Sequence, residues 1–271
     1  MSLLNVENLG ISFGGIRALK DVAFEVHLGE IFSILGPNGA GKTTLFNCVN
    51  GIYKPDAGRV LFEGKPITGI RPDKAARLGI ARTFQNIELF GHMTTMDNLL
   101  LGRHLHMKTN VFTAAFFGPG VRREEIAQRE EAERIIDFLD LQAYRDMPVA
   151  ALPYGVRKMV ELGRALATKP RLLLLDEPCA GMNHEERSDM AIWIQDIRED
   201  LGVTCLLVEH DMNLVMRISD RVLVLDHGEV LACGKPEAVA ANEDVARAYL
   251  GAGHGFDELT QPPHDAGAAD G

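Results

Sequence analysis

Apolar and polar positions alternate early in the chain. Val22, Phe24, Val26 and Leu28 are separated by Ala23, Glu25 and His27, which predicts a half-buried strand over 22–28. Residues 31–35 form a short, mostly apolar run stopping at Gly36, as a buried strand would. A helix is predicted over 42–50, a turn over 54–58 and a returning strand over 59–62. Then the period changes. Residues 95–105 and 121–141 read as helices, the second with Ile135, Ile136 and Leu139 at helical spacing. Residues 116–120, rich in Phe, Gly and Pro, separate the two. Residues 85–157 therefore read as a helical insertion in an α/β core. Beyond it, strands at 172–175, 203–208 and 222–225 alternate with helices, which implies a largely parallel sheet. One of those helices is expected to carry Met190, Ile194, Ile197 and Leu201 on a single face, and Pro236 to open a C-terminal helix.

Composition narrows the possibilities. The chain has 271 residues, 46% of them hydrophobic, enough for a packed core. Its net charge of -10 argues against nucleic acid as the main partner, since phosphate backbones select basic surfaces. Cys48, Cys179, Cys205 and Cys233 form no C-x-x-C pair, and three sit in or beside apolar runs. They read as buried hydrophobes in a reducing compartment. No stretch approaches the roughly 20 apolar residues of a membrane helix. Residues 111–117 are too short, and the N-terminus lacks the pattern of a signal peptide. The expectation is a cytosolic chain whose membrane association runs through other subunits. After Leu250 the sequence is Gly-, Ala- and Pro-rich and acidic, with no Lys or Arg, and is expected to be a disordered tail.

Two segments carry chemistry. Gly36-Pro37-Asn38-Gly39-Ala40-Gly41-Lys42-Thr43, followed by Thr44, fits G-x-x-x-x-G-K-[ST] between a predicted strand and a predicted helix. Glycines there allow successive N–H groups to converge on an anion, and the helix N-terminus adds partial positive charge. Lys42 can reach the β- and γ-phosphates of ATP, and the Thr43 hydroxyl can ligate Mg²⁺. The second segment, 171–177, is an apolar strand ending in Asp176 and Glu177. The carboxyl ends of strands are where open α/β sheets bind ligands. Asp176 is the expected Mg²⁺ partner and Glu177 the candidate base for an attacking water.

With these two segments in place, the sequence resembles the ATP-binding subunits of ABC transporters, and more narrowly those of branched-chain amino acid importers. The resemblance covers roughly residues 3–251. Phe13 matches the aromatic that stacks on adenine, Gln85 the Q-loop glutamine that contacts Mg²⁺ and water, and His210 the switch histidine at the γ-phosphate. Residues 180–183 sit at the D-loop, where Asn183 stands in place of the family's Asp. Residues 152–157 fall at the signature motif, with Pro153 and Tyr154 replacing Ser and Gly while Gly155 remains to meet a partner's ATP.

The resemblance implies an α/β P-loop NTPase with a mainly parallel core sheet, an N-terminal antiparallel β part and a helical insertion. Its domain would be residues 1–251, with the helical subdomain at about 86–157 and a tail at 252–271. It implies an ATP hydrolase using ATP and Mg²⁺ on the cytoplasmic face of the cell membrane. Partners would be a second, different ATPase subunit in a head-to-tail dimer, two transmembrane permeases and, indirectly, a solute-binding protein. The cargo would be branched-chain or related amino acids, with urea, amides or aromatic acids as alternatives. A soluble ABC ATPase of DNA repair or translation is the rival from another class.

Overall fold

The computed structural model describes residues 1–83, 87–106 and 119–250. Among them, strands β1 (Ser2–Phe13), β2 (Ile16–His27), β4 (Ala57–Phe62) and β5 (Lys65–Pro66) form an antiparallel sheet in the order β2-β1-β4-β5. The alternation predicted for 22–28 holds through Val26, with Val22, Phe24 and Val26 buried. Leu28, by contrast, lies past the strand end and is exposed, because the chain turns at Gly29 with φ 78°.

The second sheet contains β3 (Ile31–Leu35), β6 (Ile80–Arg82), β7 (Leu172–Asp176), β8 (Thr204–Val208), β9 (Arg221–Asp226) and β10 (Glu229–Gly234). Its order is β10-β9-β3-β8-β7-β6, parallel throughout except for the β9–β10 hairpin. Every residue of β3, β7 and β8 is buried, so these runs read as apolar without alternation. The two-residue period survives as a division of labour. Phe32 and Ile34, Leu172 and Leu174, and Leu206 and Val208 face one core, together with Phe24 and Phe62 of the antiparallel sheet and Phe46. Ile31 and Leu35, Leu173 and Leu175, and Cys205 and Leu207 face the other. Each such side chain stabilises the fold by about 1.5–3 kcal/mol relative to exposure.

Helix α1 (Lys42–Val49) carries Phe46 into the first core. Helix α2 (Pro72–Arg77) precedes β6. Helices α3 (Thr95–Arg103), α4 (Pro119–Phe138) and α5 (Tyr154–Leu166) pack on one another and on the second core through Leu99, Ile136 and Leu162, joined by Leu139, which lies just past the end of α4 rather than on it. The helix predicted over 95–105 opens on a capping box, Thr94 with Asp97, and ends at Arg103, continuing as a 3₁₀ turn over His104–His106.

Helix α6 (His184–Glu199) buries Met190, Ile194 and Ile197 as expected. Leu201 is not on it. The helix stops at Glu199, and Leu201 is exposed beside Gly202, whose φ of 64° turns the chain. After α7 (Met212–Ile218), the predicted C-terminal helix is two: α8 (Pro236–Ala240), opened by Pro236, and α9 (Glu243–Leu250). The break is stabilised by Asn242, whose Oδ1 accepts the N–H groups of Asp244 and Val245. Cys48, Cys179 and Cys205 are buried and Cys233 is exposed. Among the described residues no helix is long and apolar enough to cross a membrane. Residues 111–117 and the tail at 252–271 lie outside the described residues.

Candidate functional site

Strand order builds the site. β8 lies between β3 and β7, and Val208 pairs with Ile34 on one side and Asp176 on the other. The carboxyl ends of three neighbouring strands therefore reach the same level, and each delivers one part of the site. β3 leads into the loop at 36–43, β7 ends at Asp176, and β8 leads to His210.

The loop needs its glycines where it meets its neighbours. A Cβ on Gly36 would sit 2.2 Å from the Leu225 carbonyl oxygen. Gly39 and Gly41 hold φ of 83° and 104°, closed to most L side chains. Gly41 is the N-cap of α1, and the helix has no acidic residue in its first turn. Its N-terminal N–H groups and dipole thus meet no carboxylate from the helix's own first turn. Asn38 and Gly39 are exposed at the loop tip, Pro37 is half-buried, and Ala40 is buried. Thr43 is exposed and Thr44 half-buried at the helix start.

Lys42 is buried, and its ammonium donates to the carbonyls of Gly36 at 2.6 Å and Pro37 at 3.1 Å. Burial pushes its pKa down from the ordinary value, and the carboxylates of Glu177, Asp176 and Glu209 oppose that shift. The lysine is thus a desolvated cation held by loop carbonyls and faced by three carboxylates.

Glu177 takes a left-handed backbone conformation, φ 46°, uncommon for a residue other than glycine. Its N–H donates to Val208 O at 2.9 Å, so the chain kinks immediately after β7 while staying bonded to β8. The Glu177 side chain is 18% exposed, and its Oε2 lies 3.9 Å from His210 Nδ1. A carboxylate and an imidazole are thereby juxtaposed at the mouth of the loop, an arrangement able to orient a water and accept its proton.

Next to His210 lies Glu209, which is buried and accepts the N–H groups of Cys179 at 3.0 Å and His210 at 3.2 Å. Burial raises its carboxyl pKa above the ordinary 4.5. The native state therefore binds this proton more readily than the unfolded chain. The corresponding stability is fully present below the unfolded value and is lost as pH rises through the folded one. Glu209→Gln, which keeps an acceptor but never ionises, should gain stability relative to the parent as pH increases from 4 to 8. Urea midpoints for both proteins across that range check this; a pH-independent difference between them contradicts it.

Phe13 is 44% exposed at the end of β1 and packs edge-on against Tyr53 with ring centroids 5.1 Å apart. It is not a core residue, and its exposed surface offers a face for stacking. Gln85 lies outside the described residues.

The unusual signature segment is tied to the segment at 180–183. Pro153 is the N-cap of α5 and supplies no side-chain cap. The Tyr154 hydroxyl donates to Ala180 O at 3.0 Å, and its ring covers Gly181 so closely that a Cβ there would lie 3.0 Å from the hydroxyl oxygen. Gly155 is buried against Glu186, which forms the capping box of α6 with Asn183. Asn183 therefore acts here as a helix cap: its side chain accepts the Glu186 N–H at 3.0 Å.

The residues that would hold Mg²⁺, Thr43 and Asp176, offer hard oxygens, a hydroxyl and a carboxylate. Among the described residues no group of three His, Cys, Asp or Glu side chains gathers to form a cage. That set fits a cation that takes one or two protein ligands and completes its shell with phosphate and water. One participant escaped the sequence reading. Arg82 ends β6 and donates to Asp176 Oδ2 at 2.6 Å. An arginine closing the otherwise apolar Ile80-Ala81 run was the available signal.

A family model described as "ABC transporter" matches residues 19–180. The chain belongs to the ABC transporter family. A second model, "Branched-chain amino acid ATP-binding cassette transporter", matches residues 229–255. The chain is 42% identical over 249 residues to the high-affinity branched-chain amino acid transport ATP-binding protein BraF of Pseudomonas aeruginosa, covering 92% of this chain and 98% of that one. It is 41% identical, with the same coverage, to the corresponding protein LivG of Escherichia coli. Its fold matches a nucleotide-free ATP-binding cassette from an ABC transporter (34% identity, TM-score 0.79, 92% of this chain and 99% of that one). It also matches a cassette in its ADP conformation (34% identity, TM-score 0.81, 93% and 99%). As an ABC cassette, the chain is a nucleotide-binding, ATP-hydrolysing P-loop protein.

Proposed function

We propose that this cassette hydrolyses Mg-ATP to power the import of branched-chain or related amino acids from the cytoplasmic face of the cell membrane. The likeness to BraF over 92% of the chain carries the choice of cargo. The common level of the phosphate loop, Asp176, Glu177 and His210 supports the chemistry.

In this reading the N–H groups from Gly36 to Thr44 wrap the phosphates, Lys42 neutralises their outer charge, and Phe13 stacks on adenine. Thr43, Asp176 and Gln85 hold Mg²⁺, which supplies charge neutralisation at the phosphates. Glu177 takes the proton of the attacking water, and His210 contacts the γ-phosphate. Gly155 meets the ATP of a partner cassette, so nucleotide joins the two chains and hydrolysis releases them, a ligand-driven change of population.

The partner is a second, different ATPase subunit, and two permeases turn closure into alternating access. A groove of about 380 Å³ lined by Ala76, Phe90, Leu101, Leu105 and Arg164 suits a permease helix. Exposed Phe90 and Leu101 give it apolar contact area. Purification of the tagged chain from its own membranes in mild detergent, followed by mass spectrometry, tests this. Two polytopic permeases and a second ATPase are the expected companions, and the associated binding protein then identifies the solute. Soluble partners alone overturn the importer reading and leave the ATPase standing.

A further inference from the structure

Arg82 ties together three parts of the cassette. Its Nη2 donates to Asp176 Oδ2 on β7 at 2.6 Å, and its Nη1 donates to Asn47 Oδ1 on α1 at 2.6 Å. The guanidinium carbon lies 5.7 Å from the centroid of the Phe46 ring. Both side chains of the Arg82–Asp176 pair are only 5% exposed. A carboxylate so withdrawn from water is costly unless a cation accompanies it. The guanidinium meets that need.

We infer that Arg82 is the resident counter-ion of Asp176 and competes with Mg²⁺ for it. This rests on the proposed reading of Asp176 as a metal ligand. The physical argument is one of charge. Asp176 needs a cation when no metal is bound, yet a fixed guanidinium repels an arriving divalent ion at short range in a weakly screened site. Arg82 therefore stabilises the empty cassette and weakens its hold on the metal. It touches neither nucleotide nor water in this scheme and is a positioning residue. Phe46 and Asn47 belong to the helix that follows the phosphate loop, so the same guanidinium braces the loop's helix against β7.

The two consequences have opposite signs, which separates this role from a merely structural one. A scaffold residue, once removed, lowers both stability and metal affinity. Arg82→Gln should lower the thermal midpoint of the full chain in EDTA by several degrees. The same variant should tighten Mg²⁺ binding on the order of tenfold. Arg82→Lys keeps the charge but cannot bridge Asn47 and Asp176 with a planar fork, so its Mg²⁺ affinity should fall between parent and Arg82→Gln.

The measurement is calorimetric titration of Mg²⁺ into full-length chain saturated with a non-hydrolysable ATP analogue, with Mg²⁺ binding by free analogue subtracted. Unchanged or weaker Mg²⁺ binding by Arg82→Gln overturns the inference. Should that variant not fold, Arg82→Lys decides, and an affinity no tighter than the parent's overturns it equally. Asp176→Asn is run alongside and should weaken Mg²⁺ binding at least about tenfold. If it binds as tightly as the parent, the assignment of Asp176 fails, whatever Arg82 does.

Discussion

Glu177→Gln slows ATP turnover by about 10²–10⁴-fold, the loss expected when a general base is removed, while leaving ATP affinity close to the parent value. The amide has the size of the carboxylate and should preserve the φ of 46° and the bond from its own N–H to Val208 O. What it loses is the ability to take a proton. Next to it, His210 Nδ1 stands 3.9 Å from Glu177 Oε2, outside direct hydrogen-bond reach, with its side chain half exposed. Single-turnover hydrolysis in the assembled complex, together with nucleotide affinity, separates the two effects. Near-normal turnover sinks the assignment; lost affinity points to a damaged phosphate loop. In a complex with a different ATPase subunit, the size of the defect also reports this chain's share of the hydrolysis.

The second large effect is on binding. Lys42→Ala should weaken ATP affinity by about 10²-fold, since hydrogen bonds to charged groups contribute about 1.5–3 kcal/mol each. The reason lies in the surroundings of the ammonium. Lys42 faces Glu177, Asp176 and Glu209, and its present acceptors are only the carbonyls of Gly36 and Pro37. Phosphate oxygens carry formal charge and replace those carbonyls favourably. Without the lysine, Glu177 and the phosphates lose the cation between them, so repulsion adds to the lost attraction. Titration with a fluorescent ATP analogue reads the change, and a retained thermal midpoint without nucleotide shows that the variant is folded. Unchanged affinity refutes the role given to Lys42.

The placement of Arg82 links the two effects. Lys42 and Arg82 are both cations near Asp176, but they differ in what they hold. Lys42 rests on main-chain carbonyls of its own loop, whereas Arg82 spans β6, β7 and α1. The lysine is positioned to transfer to phosphate without disturbing another element; the arginine cannot leave Asp176 without loosening the contact between them. The N-terminal end of α5 is fastened in a comparable way, by Tyr154 to Ala180 and by Gly155 against Glu186, so Tyr154 tethers it to the segment at 180–183.

The phosphate loop was legible because its requirements are local. Eight contiguous residues supply the glycine conformations, the lysine and the hydroxyl, and a strand before and a helix after are visible as changes of period. β3, β7 and β8 were legible for a related reason: burial on both faces demands nearly continuous apolar runs, which need no partner to be recognised. Boundaries that depend on where the chain leaves an element were less so. Leu28 and Leu201 continue their patterns in sequence, but Gly29 and Gly202 turn the backbone away and leave both exposed. What the sequence by itself determined was therefore the parts: the loop, the two carboxylates after an apolar strand, and the alternation of helices with strands. Only the tertiary structure decided their neighbours. Nothing local says that β8 lies between β3 and β7, or that Arg82 meets Asp176 across 94 positions, because pairing between distant segments follows from which apolar faces bury one another in the completed sheet.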